Sequence, residues 1–252
     1  MNNLFGEIRI MKKTIKYSTA MLALLLGTTI MSNTAFAADG ASVKSIGTIS
    51  YVPDDSTVTP IDPIDPDPEK PIVPTDPDDH ENPTPGPLSI DYVSNLRFGE
   101  QKTTGQNATY YANLDKIIES DGSQIERPNF VQVTDKRGSN AGWHLTVTED
   151  AQFKSGENEL TGAQLTLMNG TMATPNDGIE PTAEQKIALT PGTASDVLDA
   201  KADQGTGTWL DRFGTDEAAG KKSVSLSVPG KTKKVQSEYK TSLTWTLTDT
   251  PA

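Results

Sequence analysis

The feature that most constrains this chain is strict alternation of apolar and polar residues in short runs. Ser223-Val224-Ser225-Leu226-Ser227-Val228 and Leu243-Thr244-Trp245-Thr246-Leu247 change character at every position. On a helix that pattern would scatter the apolar groups round the circumference, whereas a strand gathers them on one face. Further runs are Leu88-Ser89-Ile90-Asp91-Tyr92, Phe130-Val131-Gln132-Val133, Trp143-His144-Leu145-Thr146-Val147 and Ala163-Gln164-Leu165-Thr166-Leu167, and the last run extends from Tyr239 to Leu247. Turn-forming residues separate them, among them Asp135-Lys136-Arg137-Gly138, Asn169-Gly170, Asn176-Asp177-Gly178, Pro191-Gly192 and Pro229-Gly230. Residues 88–252 are therefore expected to form an all-β domain, an antiparallel β-sandwich or a barrel. Short helical turns are expected at 114–120 and 193–200.

The first third of the chain reads differently. Arg9, Lys12, Lys13 and Lys16 precede an apolar run at 20–30, followed by Ala35-Phe36-Ala37. That is the layout of a secretory signal peptide, 1–37, cleaved between Ala37 and Ala38; the start codon is either Met1 or Met11. The apolar run is too short to cross a bilayer, which takes roughly 20 residues. Residues 38–52 form a short segment with one possible strand at 43–52. Residues 53–87 hold 11 of the 17 prolines, with ten Asp or Glu and one Lys. Proline fixes φ and like charges repel, so a disordered, extended acidic stalk is expected there. Asp62, Asp65 and Asp67 invite a calcium reading, but alternating prolines oppose the wrapped loop that calcium requires.

There is no cysteine, so a lipid anchor, a disulfide and thiol chemistry all lack their residue. The chain stops at Asp249-Thr250-Pro251-Ala252, without the hydrophobic tail and basic end of a wall-sorting signal, so retention through non-covalent contacts is the expectation. A net charge of −12 argues against nucleic acid.

Trp143-His144-Leu145 and Trp245-Thr246-Leu247 both read Trp-x-Leu, which puts Trp and Leu on one strand face. Asp91-Tyr92-Val93-Ser94-Asn95-Leu96-Arg97-Phe98-Gly99 opens the domain, and Pro128-Asn129-Phe130-Val131-Gln132-Val133-Thr134-Asp135 precedes the first motif. In these features residues 88–252 resemble the WxL domain family of Gram-positive surface proteins. The resemblance implies a cell-wall protein bound non-covalently to peptidoglycan or another wall polymer, and assembly with other cell-surface proteins. An alternative is a subunit of a surface complex, or an adhesin, that engages a partner protein or host matrix.

The candidate binding residues are Trp143, Leu145, Trp245, Leu247 and Trp209. Sharing a face with Leu and Val, Trp143 and Trp245 read first as core and second as stacking platforms for sugars. Trp209, between glycines in Gly205-Thr206-Gly207-Thr208-Trp209, reads as loop or short edge strand and is the better candidate for ligand contact. Tyr110 and Tyr111 should face opposite ways. Lys221, Lys222, Lys231, Lys233 and Lys234 flank a strand and could meet anionic wall polymers, although a solvated turn is the simpler reading.

No enzyme is expected. His80 and His144 are the only histidines, and no Gly-x-Ser-x-Gly elbow, zinc spacing or phosphate-cradling loop occurs. A glycosidase could be built from two of the 22 acids after residue 87, but none stands out. Neither cofactor nor metal is expected.

Overall fold

The alternating runs do become strands. The computed structural model describes residues 42–75 and 80–252; the signal segment and its cleavage point at Ala37 and Ala38 lie outside them. The chain divides into two units, Met1–Thr48 and Ile49–Ala252. Residues 42–48, the described part of the first, are exposed and in no strand. The strand expected at 43–52 is not formed: in the second unit Ile49, Tyr51 and Val52 are 76%, 87% and 83% exposed. Without an edge to pair with, a strand-prone segment leaves its main chain to water.

In chain order, β1 (Val73–Pro74) and β2 (Leu88–Val93) precede β3 (Ala108–Tyr111), β4 (Asp115–Ile118) and β5 (Gln124–Arg127). Next come β6 (Phe130–Asp135), β7 (Trp143–Glu149) and the two-residue strands β8 (Lys154–Ser155) and β9 (Asn158–Glu159). They are followed by β10 (Gln164–Met168), β11 (Gly170–Ala173), β12 (Thr182–Ala183) and β13 (Lys186–Ala188). Finally β14 (Ala194–Ala200), β15 (Gly207–Phe213), the helix α1 (Glu217–Gly220), β16 (Val224–Val228) and β17 (Leu243–Thr248) complete the domain. Every strand pairing is antiparallel. Three four-stranded sheets run β13-β10-β16-β3, β11-β15-β6-β2 and β12-β14-β7-β17, with smaller sheets β1-β4-β5 and β8-β9.

Both expected helical turns are strands instead. Residues 114–120 contain β4, which forms a hairpin with β5. Residues 193–200 become β14, whose register shifts between Asp196 and Leu198. That bulge buries Val197 and Leu198 side by side, which hides the period-two signal from the sequence. The one helix among the described residues, α1, starts where the Asp216 carboxylate accepts from the Ala219 N–H at 2.8 Å.

Side chains from all three larger sheets meet in the main core, including Val131, Val133, Trp143, Leu145, Leu165, Leu198, Trp209 and Leu226. A second cluster, of Ile61, Ile72, Tyr92, Ile117, Phe130 and Leu210, lies on the opposite face of β6 and β15. With packing on both faces, β6 is buried along its whole length. Its polar positions are satisfied internally. Asp91 accepts from Ser89 Oγ at 2.6 Å, Gln132 Nε2 at 3.0 Å and Thr134 Oγ1 at 2.5 Å.

The second cluster corrects the expected stalk over residues 60–74. Ile61 and Ile72, set among the prolines, are 2% and 4% exposed. Asp62 receives Arg127 Nε at 2.8 Å and Nη2 at 2.7 Å. Burial alone would raise the Asp62 pKa, but Arg127 holds it below the ordinary value. The Ile61 N–H donates to Gln132 Oε1 at 3.0 Å, the Ile72 N–H to the Pro60 carbonyl at 2.9 Å, and β1 pairs with β4. Two isoleucines supply the apolar anchors that a solvated spacer lacks, and proline pre-orders the strap between them.

Candidate functional site

The two Trp-x-Leu motifs, about a hundred residues apart in sequence, are neighbouring strands. β17 pairs with β7 without a break, with Trp245 opposite Val147, Leu247 opposite Leu145 and Leu243 opposite Glu149. On the other side of β7, Leu198 lies opposite Leu145 and Ala200 opposite Trp143.

One face of this sheet is core. Trp143, Leu145 and Val147 are wholly buried, and the Trp143 indole Nε1 donates to the Gly205 carbonyl at 3.0 Å. One glycine makes room for the indole and another for the neighbouring strand's main chain. A Cβ on Gly205, which has φ +74, would stand 2.5 Å from Trp143 Nε1; one on Gly142, with φ +81, would stand 2.2 Å from the Ala200 carbonyl oxygen. Leu243, Trp245 and Leu247 pack against the same core but remain half-buried, because β17 is the edge of its sheet.

The opposite face is polar. It carries His144, Thr146 and Thr148 from β7 and the exposed Thr244, Thr246 and Thr248 from β17, with Thr246 opposite Thr146 and Thr244 opposite Thr148. Asp196 of β14 adds a carboxylate 3.2 Å from His144 Nε2.

Trp209 departs from its expected place. It sits within β15, paired on both sides, is 1% exposed, and donates its indole N–H to the Thr206 carbonyl at 3.1 Å. The flanking glycines that suggested a loop serve the turn entering β15, where Gly205 and Gly207 have φ +74 and +88. Trp209 is therefore a core residue of a central strand and not a loop or edge residue. Tyr110 and Tyr111 do diverge, Tyr110 onto the core and Tyr111 45% exposed. The lysines do not gather into one patch. Lys221 and Lys222 precede β16 and the other three follow it, about 17 Å apart along a five-residue strand. Lys234 is occupied locally, donating to the carbonyls of Thr232 and Pro229 at 3.0 and 3.1 Å. The His80 ring meets Tyr92 edge-on, with centroids 5.5 Å apart.

Sequence reasoning singled out no acid after residue 87, yet two stand apart. Glu149, at the end of β7, is fully buried with no hydrogen-bond partner for its carboxyl among the described residues, and burial raises its pKa to about 7. Asp211 of β15 is buried in the core; burial lifts its pKa to about 8 against a weaker pull from the Thr171 N–H. Glu149 continues the alternating face of Trp143, Leu145 and Val147, which was the available signal; Asp211, beside Leu210, gave none.

Comparison with curated proteins and with solved structures gives no match. A family model described as "WxL domain surface cell wall-binding" matches residues 38–251, so the resemblance first drawn for residues 88–252 extends through the proline-rich strap to the segment before it. With its two motifs paired in one sheet, the chain belongs to the WxL family of surface domains that bind the cell wall.

Proposed function

We propose that this surface protein is exported by its N-terminal segment and held on peptidoglycan without a covalent bond, through the polar face of the motif sheet. The observation that carries this reading is the cross-strand register of β7 and β17. It sets five threonine hydroxyls in one array while the Trp-x-Leu side chains turn inward. Neighbouring strands place such hydroxyls about 4.8 Å apart, and alternate residues of a strand about 7 Å apart. Each hydroxyl both donates and accepts, as the hydroxyl and acetamido groups of a glycan demand. In this reading Trp143 and Leu145 are the scaffold of the site and touch no sugar. The half-buried Trp245 and Leu247 border it. The wall-binding family to which the chain belongs is not a family of enzymes, and the function needs no reaction.

Co-sedimentation of the purified chain with isolated peptidoglycan tests the proposal. Pelleting with the wall and release by chaotrope are expected, and Thr146→Val/Thr246→Val should pellet less. Complete recovery in the supernatant overturns it. N-terminal sequencing of the exported protein should read from Ala38.

A further inference from the structure

Two features of this molecule are left without a use by wall binding, and they match each other. The first is the segment 43–52, where Val43, Ile46, Ile49, Tyr51 and Val52 are 94%, 91%, 76%, 87% and 83% exposed. Scattered exposed apolar residues are ordinary on a protein surface; five within ten positions of a strand-prone, proline-free run are not. The second is the outer edge of β17.

Among the described residues that edge is open and unguarded. The Asp150 N–H donates to the Ser242 carbonyl at 3.0 Å, so even-numbered positions of this strand bond to β7. By the alternation of an antiparallel ladder, the main-chain N–H and C=O groups of Leu243, Trp245 and Leu247 point the other way, where no described residue bonds them. Proteins usually blunt such an edge with lysine, proline, a bulge or a covering loop. Leu243-Thr244-Trp245-Thr246-Leu247-Thr248 has no charge and no proline, and its register with β7 is unbroken. The other long edge, β2, has a register shift after Ile90 and is covered by Thr84, whose N–H and Oγ1 bond Ile90 at 2.9 and 2.8 Å.

We infer that the open edge of β17 receives the segment 43–52 of a second copy of this chain as an added strand, linking copies head to tail. Over residues 48–51 the side-chain patterns agree. In β17 the half-buried Leu243, Trp245 and Leu247 alternate with the exposed Thr244, Thr246 and Thr248. In the donor, Ile49 and Tyr51 alternate with Thr48 and Ser50. In registers of one parity, Ile49 and Tyr51 cover the half-open apolar side while Thr48 and Ser50 prolong the hydroxyl face; a one-residue slip reverses both. The donor leaves from a fixed root. The Asp54 N–H meets the Lys136 carbonyl at 3.3 Å and its carboxylate meets Lys136 Nζ at 3.0 Å, while residues 49–52 stand free. Donor and acceptor are different surfaces of one chain, so the contact is heterologous and builds open chains or rings rather than two-fold dimers. The added strand works by main-chain hydrogen bonds, with side-chain pockets setting register.

Sedimentation velocity of the purified chain, with no wall material present, tests this separately from wall binding. Weight-average mass should rise with concentration by about twofold or more, as expected of heterologous association. Trp143 and Trp209 are buried already, so a blue shift of fluorescence on assembly reports Trp245. The Ile49→Asp/Tyr51→Asp variant should stay monomeric with an unchanged melting curve, because both side chains are exposed. Excess synthetic peptide of residues 43–52 should return the wild-type chain to monomers. A wild-type chain that stays monomeric at every concentration overturns the inference, and so do oligomers that the double variant forms equally well.

Discussion

The same three-letter motif occurs twice in one sheet with two physical outcomes. In β7 the side chains of Trp143, Leu145 and Val147 are sealed from water, whereas in β17 Leu243, Trp245 and Leu247 are half-covered. Period two decides which face each side chain takes, and both motifs turn their apolar residues inward. How completely that face is covered depends on neighbours. β7 has β14 on one side and β17 on the other; among the described residues β17 has a partner on one side only. A motif read from sequence thus specifies direction, and its position in the sheet specifies burial.

The largest expected contrast is between the two tryptophans' strands. Trp143→Ala should cost about 3–5 kcal/mol, because it empties a closed core site and leaves the Gly205 carbonyl without its indole donor. A denaturant titration followed by circular dichroism would measure it. A loss below about 1 kcal/mol, the scale of surface substitutions, would mean that the core of β7 is not closed.

The second effect separates the far ends of the same strands, where Glu149 of β7 lies opposite Leu243 of β17. Burial raises the Glu149 pKa from 4.5 to about 7, so the folded chain holds this proton more tightly than the unfolded one. The stabilisation is whole below pH 4.5, declines as pH rises, and is gone above about pH 7. The loss is on the order of 3 kcal/mol. Glu149→Gln keeps the shape without the charge and should remove its share of the decline between pH 4.5 and 7, leaving the decline expected from Asp211, which runs from 3.8 to about 8.

The two strands also show how far the sequence could be read. Alternation located β2, β6, β7, β10, β16 and β17, because each puts one regular face toward a core. It could not find β14, whose bulge breaks the period, nor show that β6 is covered on both sides. Trp209 was misplaced because glycines that serve a turn look like glycines of a loop. The proline-rich stretch looked like a spacer because acid and proline outnumber its apolar residues. Yet Ile61, Ile72 and the Asp62–Arg127 pair fasten it, and those partners lie far along the chain. The Trp-x-Leu pair was legible as a motif, but its hydroxyl face depends on the register between β7 and β17, which only pairing reveals.

A third, smaller effect belongs to the edge. Trp245→Ala removes a half-buried indole with one open flank, so the site can relax toward solvent and the loss should be about 1–2 kcal/mol, well under that of Trp143→Ala. Equal losses at the two positions would show that β17 is covered in solution. Measuring both variants across protein concentration makes the comparison sharper, since an added strand on the edge would enlarge the Trp245 loss as assembly increases.

The smallest stability effect is expected on the polar face that the two strands share. Thr246→Val keeps the branched shape that suits a strand and exchanges one exposed hydroxyl for a methyl, so unfolding free energy should move by less than about 0.5 kcal/mol. Its neighbour across the pair, Thr146, has the same geometry, and its hydroxyl reaches the Thr246 carbonyl only at 3.5 Å, too long to contribute much. Substituting both therefore leaves the fold intact and strips two adjacent hydroxyls from the array. If that face meets the wall, pelleting with peptidoglycan falls while the melting curve holds. If pelleting holds as well, the hydroxyl array is an ordinary solvated strand face, and wall contact must be sought along the border formed by Trp245 and Leu247.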